Sequence, residues 1–231
     1  MNFYMLSRLR NIFDLLVQIA QLPVVHMYFD LDVNPSDVML TYKNFTKPHV
    51  KYKIFKNKSL GVALIDLTRF GTREEYLKNI KARYEAKKAK SRGYIFCEID
   101  GNNYIDEIHE INTSLEIRQG GFMDASYVKK NNYYEAIKNS KYYGVLNHDG
   151  KLMAYCNLRF YGNFVIFSKL LGYRNNEGTM HLLMTEAICM FIGDGVIKYI
   201  MYDTYFGAKP GLKKFKIMLG FKPYRAKYHI K

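Results

Sequence analysis

Apolar and polar positions along the chain switch between a period of two and a period near four, and the switches mark out its elements. Val50, Tyr52 and Ile54 alternate with lysines, which predicts a half-exposed strand, and the continuous run from Leu60 to Leu67 predicts a buried one. Thr72-Arg-Glu-Glu75 is a capping-box pattern. It opens a basic helix on which Tyr76, Ile80 and Tyr84 recur every four residues before Gly93 ends it. Tyr94 to Ile99 reads as a strand closed by the Asp100-Gly101 turn. Tyr104, Ile108, Ile111 and Leu115 then form one helical stripe, with His109, Asn112 and Glu116 on the other side.

Two adjacent glycines deny regular structure to the loop from Arg118 to Tyr127, whose side chains suit ligand contacts. A short helix from Tyr133 to Asn139 precedes three strands, Tyr142 to Leu146, Leu152 to Phe160 and Phe164 to Leu171, joined by tight turns into an antiparallel meander. A loop from Gly172 to Gly178 leads into a nearly all-apolar helix, Thr179 to Ile192. The strand Ile197 to Asp203, a small basic helix closing on Gly220-Phe221 and a terminal strand complete the order. At the other end, an amphipathic helix covers Tyr4 to Ala20. Met27 to Lys43, with Asp30, Asp32, Asn34-Pro35 and Asp37, reads as turns. The pattern is that of an α/β (α+β) protein with a mostly antiparallel sheet, residues 1–92 forming an extension and 93–231 a core.

Composition narrows the partners. The 231 residues are 48% hydrophobic and 16% aromatic, ample for a packed core, and a net charge of +14 points to an anionic partner. The three cysteines, Cys97, Cys156 and Cys189, sit singly in apolar segments without paired spacing. They predict reduced thiols with no disulfide partner and no metal site, in a cytoplasmic protein. The N-terminal apolar run is broken by Asp14, Gln18 and Gln21 and stopped by Pro23, too short and too polar for a secretory signal or a membrane span. Packing on the domain is the expected fate of residues 4–20, with peripheral membrane contact the second reading.

From Tyr94 to the C-terminus the element order resembles the GNAT superfamily of N-acyltransferases, and Gly211-Leu-Lys-Lys-Phe-Lys-Ile-Met-Leu-Gly-Phe221 looks like that family's late helix ending in Gly-Phe. In that helix Leu212, Phe215 and Leu219 are expected to face the core and Lys213 and Lys216 the outside. A Lys/Arg-rich helix running into Gly93-Tyr94 and a strand is similar to the Fem-type aminoacyl transferases, which join two GNAT-like units and take aminoacyl-tRNA as donor. The resemblance implies an acyltransferase moving an acyl group, acetyl from acetyl-CoA in the first instance, to a small-molecule or other amine acceptor. The Fem likeness adds tRNA as a partner. A catalytically silent protein binding nucleic acid or membrane through its basic faces is the alternative.

Acyl transfer to an amine needs a polarised carbonyl, a route for the amine's proton and an acid for the leaving group. The backbone at Leu170 and Leu171 is the candidate for the first. Arg174, Gly178, Thr179 and Met180, with Lys213 and Lys216, are the candidates for holding the acyl-CoA; the family's small second residue is replaced by Met180. His109, Glu110 and Asp203 are candidate bases, and Tyr202 or Tyr205 the candidate acid. Arg118, Gln119, Ser126 and Tyr127 are placed on the acceptor side.

Overall fold

The computed structural model describes residues 17–50, 53, 55–118 and 121–231. An eight-stranded sheet carries the fold, in the spatial order β1 (Val24–Phe29), β10 (Lys222–Ile230), β2 (Leu60–Asp66), β9 (Tyr199–Thr204), β8 (Phe164–Gly172), β7 (Leu152–Phe160), β6 (Ser140–Leu146), β3 (Ile95–Ile99). All neighbours run antiparallel except β1 with β10 and β8 with β9. Ile117–Arg118 and Gly121–Phe122 pair separately as β4 and β5. Strands β1 and β2, which precede residue 92, lie within the same sheet as the later ones, with β2 hydrogen-bonded between β9 and β10.

Strand periodicity divides the core between two faces. On β2, Ala63 and Ile65 join one cluster while Val62 and Leu64 join another. On β7, Ala154, Cys156 and Leu158 belong to the first cluster and Tyr155 to a third. Helices α2 (Arg73–Lys78), α3 (Ala82–Ser91), α6 (Thr179–Cys189) and α7 (Pro210–Met218) supply the first face. The opposite face is covered by α1 (Pro35–Thr46) and α4 (Ile105–Thr113), and α5 (Ala125–Val128) lies beyond α4.

Several local expectations are corrected. The segment read as turns holds β1 and α1, because Asn34, Pro35 and Asp37 are helix-start residues: the Asn34 side chain accepts from the Asp37 N–H and Pro35 needs no donor there. The single basic helix is two, α2 and α3, broken at Asn79, whose side chain donates to the Glu75 carbonyl. Thr72 does cap α2, accepting from Glu75 N–H at 3.2 Å. No helix covers Tyr133 to Asn139. The amphipathic helix at residues 4–20 falls mostly outside the described residues, as do Tyr52 and Ile54 of the first predicted strand. No helix among the described residues is long and apolar enough to cross a membrane.

Candidate active site

Strands β8 and β9 are neighbours only where Phe164–Ile166 faces Tyr199–Met201. Beyond that they part, and a cleft of about 1100 Å³ opens between them. Each strand carries an irregularity at the parting. On β8, Leu158 pairs with Phe167 and Asn157 with Lys169, so Ser168 is the extra residue of a bulge; its hydroxyl donates to the Asn157 carbonyl at 3.1 Å. On β9 the register against β2 shifts, and Asp203 has φ 53°, the one non-glycine residue with positive φ among the described residues. Aspartate tolerates that conformation better than most side chains. The result is a carboxylate at the cleft wall, ion-paired with Lys58 from the chain just before β2.

Lys216 overturns its expected place on the outer face of α7. Its side chain is fully buried beneath the cleft, and the Nζ donates to the Thr204 carbonyl at 2.7 Å and stands 4.6 Å from the centre of the Tyr202 ring. Burial pushes its pKa down to about 8, with nearby Asp203 opposing the fall. Burial also raises the Tyr202 hydroxyl, and Asp203 adds to the effect, so the phenol keeps its proton. Tyr205 and Lys213 lie outside the cleft lining, the Lys213 Nζ 5.4 Å from the Tyr205 ring centre. Gly220, at φ 87°, ends α7 as predicted, its N–H reaching the Ile217 carbonyl.

The other end of the cleft is built at the start of α6. Ala82, Ala86 and Ala89 give α3 a small buried face, and the two helices approach so closely that a methyl group on Gly178 would stand 2.3 Å from the Glu85 carbonyl oxygen. Gly178 is also the left-handed residue before α6, at φ 81°. Thr179 is buried with its hydroxyl directed to Asn175 at 3.3 Å. The Met180 thioether lies against Gly172, filling the space between α6 and β8. Arg174 is exposed at the cleft rim. His181, not foreseen from sequence, faces the cleft beside Phe215 at 5.0 Å; its Nε2 is buried without a partner, and burial lowers its pKa.

Leu170, Leu171 and Tyr127 line the opposite wall with Met123, Leu115 and Ile117. His109 and Glu110 do not. Glu110 accepts from Tyr173 at 2.6 Å and Lys151 at 2.9 Å, which hold it ionised, so it stands one hydrogen bond behind a cleft residue. Ser126 is exposed on α5, its backbone N–H donating to Asp124, and lies outside the cleft lining. Gln119 and the Arg118 side chain are outside what is described. Ser168 and Lys58 were also missed. The polar pair Ser168-Lys169 inside an apolar strand was a readable signal for the first; nothing in sequence links Lys58 to Asp203. Among the described residues no three His, Cys, Asp or Glu side chains converge as metal ligands, and the three thiols are unpaired.

No protein-family model and no curated protein matches the sequence. Solved structures do match in fold. FemX is 11% identical with a TM-score of 0.53, over 71% of this chain and 59% of that one. A tandem GNAT protein from the clavulanic acid biosynthesis pathway is 15% identical with a TM-score of 0.45, over 83% and 55% of the two chains. L-PGS from Bacillus licheniformis is 12% identical with a TM-score of 0.45, over 71% and 59%. The chain spans between 55% and 59% of the length of these three. Its fold is like that of FemX, mixed α/β with a mostly antiparallel sheet flanked by helices.

Proposed function

We propose that the protein is an acyltransferase that moves an acyl group to an amine in the cleft between β8 and β9, and that the group arrives as an ester on RNA. The observation that carries this reading is Lys216, a buried amine held where the two strands part. Attack by an amine on an ester places negative charge first on the carbonyl oxygen and then on the leaving oxygen, and a desolvated, pre-positioned cation stabilises both. In the step itself the amine nitrogen bonds to the carbonyl carbon and the ester C–O bond breaks. The surplus amine proton passes to the Asp203 carboxylate, which Lys58 holds at the cleft wall. The leaving oxygen takes its proton from the Lys216 ammonium. Tyr202, protonated throughout, donates a hydrogen bond to the oxyanion.

The carrier is inferred from the start of α6. A coenzyme A pyrophosphate needs small residues and open N–H groups there. Gly178 is packed on the Glu85 carbonyl, Met180 occupies the gap to β8, and Glu177 adds negative charge. These residues do not fit that group, whereas a net charge of +14 suits a polyanionic carrier. Acetyl-CoA stays as a second reading on one observation: the cleft side of Phe167 to Leu171 has no strand partner among the described residues, and such an edge can pair with an extended amide chain. The test is amide formation from a pool of aminoacyl-tRNAs and, separately, from acetyl-CoA, each with a panel of primary amines. Product from the tRNA pool alone is expected. Product from acetyl-CoA that desulfo-CoA suppresses would overturn the RNA carrier.

A further inference from the structure

Helix α3 carries a feature that acyl transfer does not require. Its buried side is alanine, and its outer side presents Lys81, Tyr84, Lys87 and Lys88, all exposed. Tyr84 is 64% exposed, yet it is not loose. Arg83 donates to the Leu77 and Lys78 carbonyls at 3.2 and 3.0 Å, which pins the guanidinium to the end of α2. From there it donates to the Tyr84 hydroxyl at 2.7 Å and lies 4.7 Å from the ring centre. The ring is thus held in place from one side by a cation. Glu85 and Lys88 of the same helix line the cleft, so this surface runs to its mouth.

We propose that the outer face of α3 docks single-stranded RNA, with Tyr84 as the platform on which a base stacks and Lys81, Lys87 and Lys88 on the phosphates. This rests on the RNA-ester reading and adds to it the place where the strand meets the protein. An aromatic ring flanked by cations is what unpaired bases and their backbone recognise together, and a ring already fixed loses little entropy on stacking. Glu85 is the one acid on the helix, and it stands on the cleft side. Lys90 is engaged with Glu186 and is not counted. An anionic membrane is the less suitable partner, because the outer face has no apolar stripe to insert: Ala82, Ala86 and Ala89 all point inward.

The test is fluorescence anisotropy of the full chain with a labelled short single-stranded RNA, the same RNA as a duplex, and vesicles containing phosphatidylglycerol. Tyr84→Ala is expected to weaken single-strand binding roughly tenfold, with Tyr84→Phe near the parent and duplex binding unchanged. Lys87→Ala and Lys88→Ala are expected to lower the salt dependence by about one ion each, which Tyr84→Ala does not. Equal single-strand affinity for Tyr84→Ala and the parent would overturn the proposal, as would vesicle binding without RNA binding. Lys216→Met separates the two readings. If it abolishes transfer from aminoacyl-tRNA while the Tyr84 variants bind RNA like the parent, the docking surface fails alone. If RNA binds through Tyr84 and no aminoacyl-tRNA reacts, the ester reading fails alone.

Discussion

The two ends of the cleft invert what each helix shows in sequence. The start of α6 has the loop, glycine and helix order of an anion cradle, but its glycine is spent on packing against α3 and its next positions are filled by a buried threonine and a methionine. Helix α7 reads as a solvent-facing basic helix, and one of its lysines is sealed beneath the cleft. A glycine at a helix start has two physical explanations, close approach of a ligand or of another helix, and only the neighbour decides between them. A lysine on a helix has two fates as well, and burial without a salt bridge is the rarer and more informative one.

The comparison breaks most directly at Lys216. Lys216→Met removes the cation without leaving a buried charge, so the fold is expected to survive with a Tm within a few degrees of the parent, while transfer falls by roughly two to three orders of magnitude. A Met variant with parental activity would reduce Lys216 to a core residue. The pH profile is the next largest effect. The working form is the ammonium, so the rate is expected to fall as pH rises through about 8. Lys216→Arg, which stays charged, should move that falling limb to higher pH if it supports transfer at all. Stability runs the other way. The folded value lies below the unfolded value of about 10.4, so the unfolded chain binds more protons between the two and stability rises with pH across that window. Denaturant titrations of parent and Lys216→Met at about pH 8 and about pH 10, the ends of that window, should show this rise in the parent only.

Most of the sheet was legible because strands buried on both faces read as short, nearly continuous apolar runs bounded by turns, as on β7 and β8. The strand and helix between Val24 and Thr46 were not, since Asn34, Pro35 and Asp37 signal a turn and a helix start with the same residues. The glycine-bearing loop after β8 was legible, but the parting of β8 and β9 was not. The chemistry there was legible in part. Asp203 was singled out by its place at a strand end and Tyr202 by the family resemblance, and both line the cleft, but Lys58 meets Asp203 across 145 residues of sequence, a contact that only the insertion of β2 beside β9 creates. Lys216 was misplaced because helical periodicity assigns faces relative to a single core, and α7 lies over both a core and a cleft.

At the start of α6 the expected effects are smaller. Gly178→Ala would force a methyl group into the Glu85 carbonyl at positive φ, costing about 1–3 kcal/mol and several degrees of Tm. Parental stability in that variant would mean that α3 and α6 are not closely packed in solution.

Met180→Ala is the finest test, because it asks which residue closes the cradle. The substitution restores the small side chain that a pyrophosphate would need and empties the space against Gly172, but it leaves the Glu85 carbonyl over Gly178. If backbone packing is the barrier, Met180→Ala gains no affinity for acetyl-CoA by calorimetry and changes transfer from aminoacyl-tRNA by no more than about threefold, the scale of a small packing adjustment away from the reacting atoms. If the variant binds acetyl-CoA where the parent does not, the methionine alone was the barrier. The two ends of the cleft would then differ by a side chain and not by the way two helices pack.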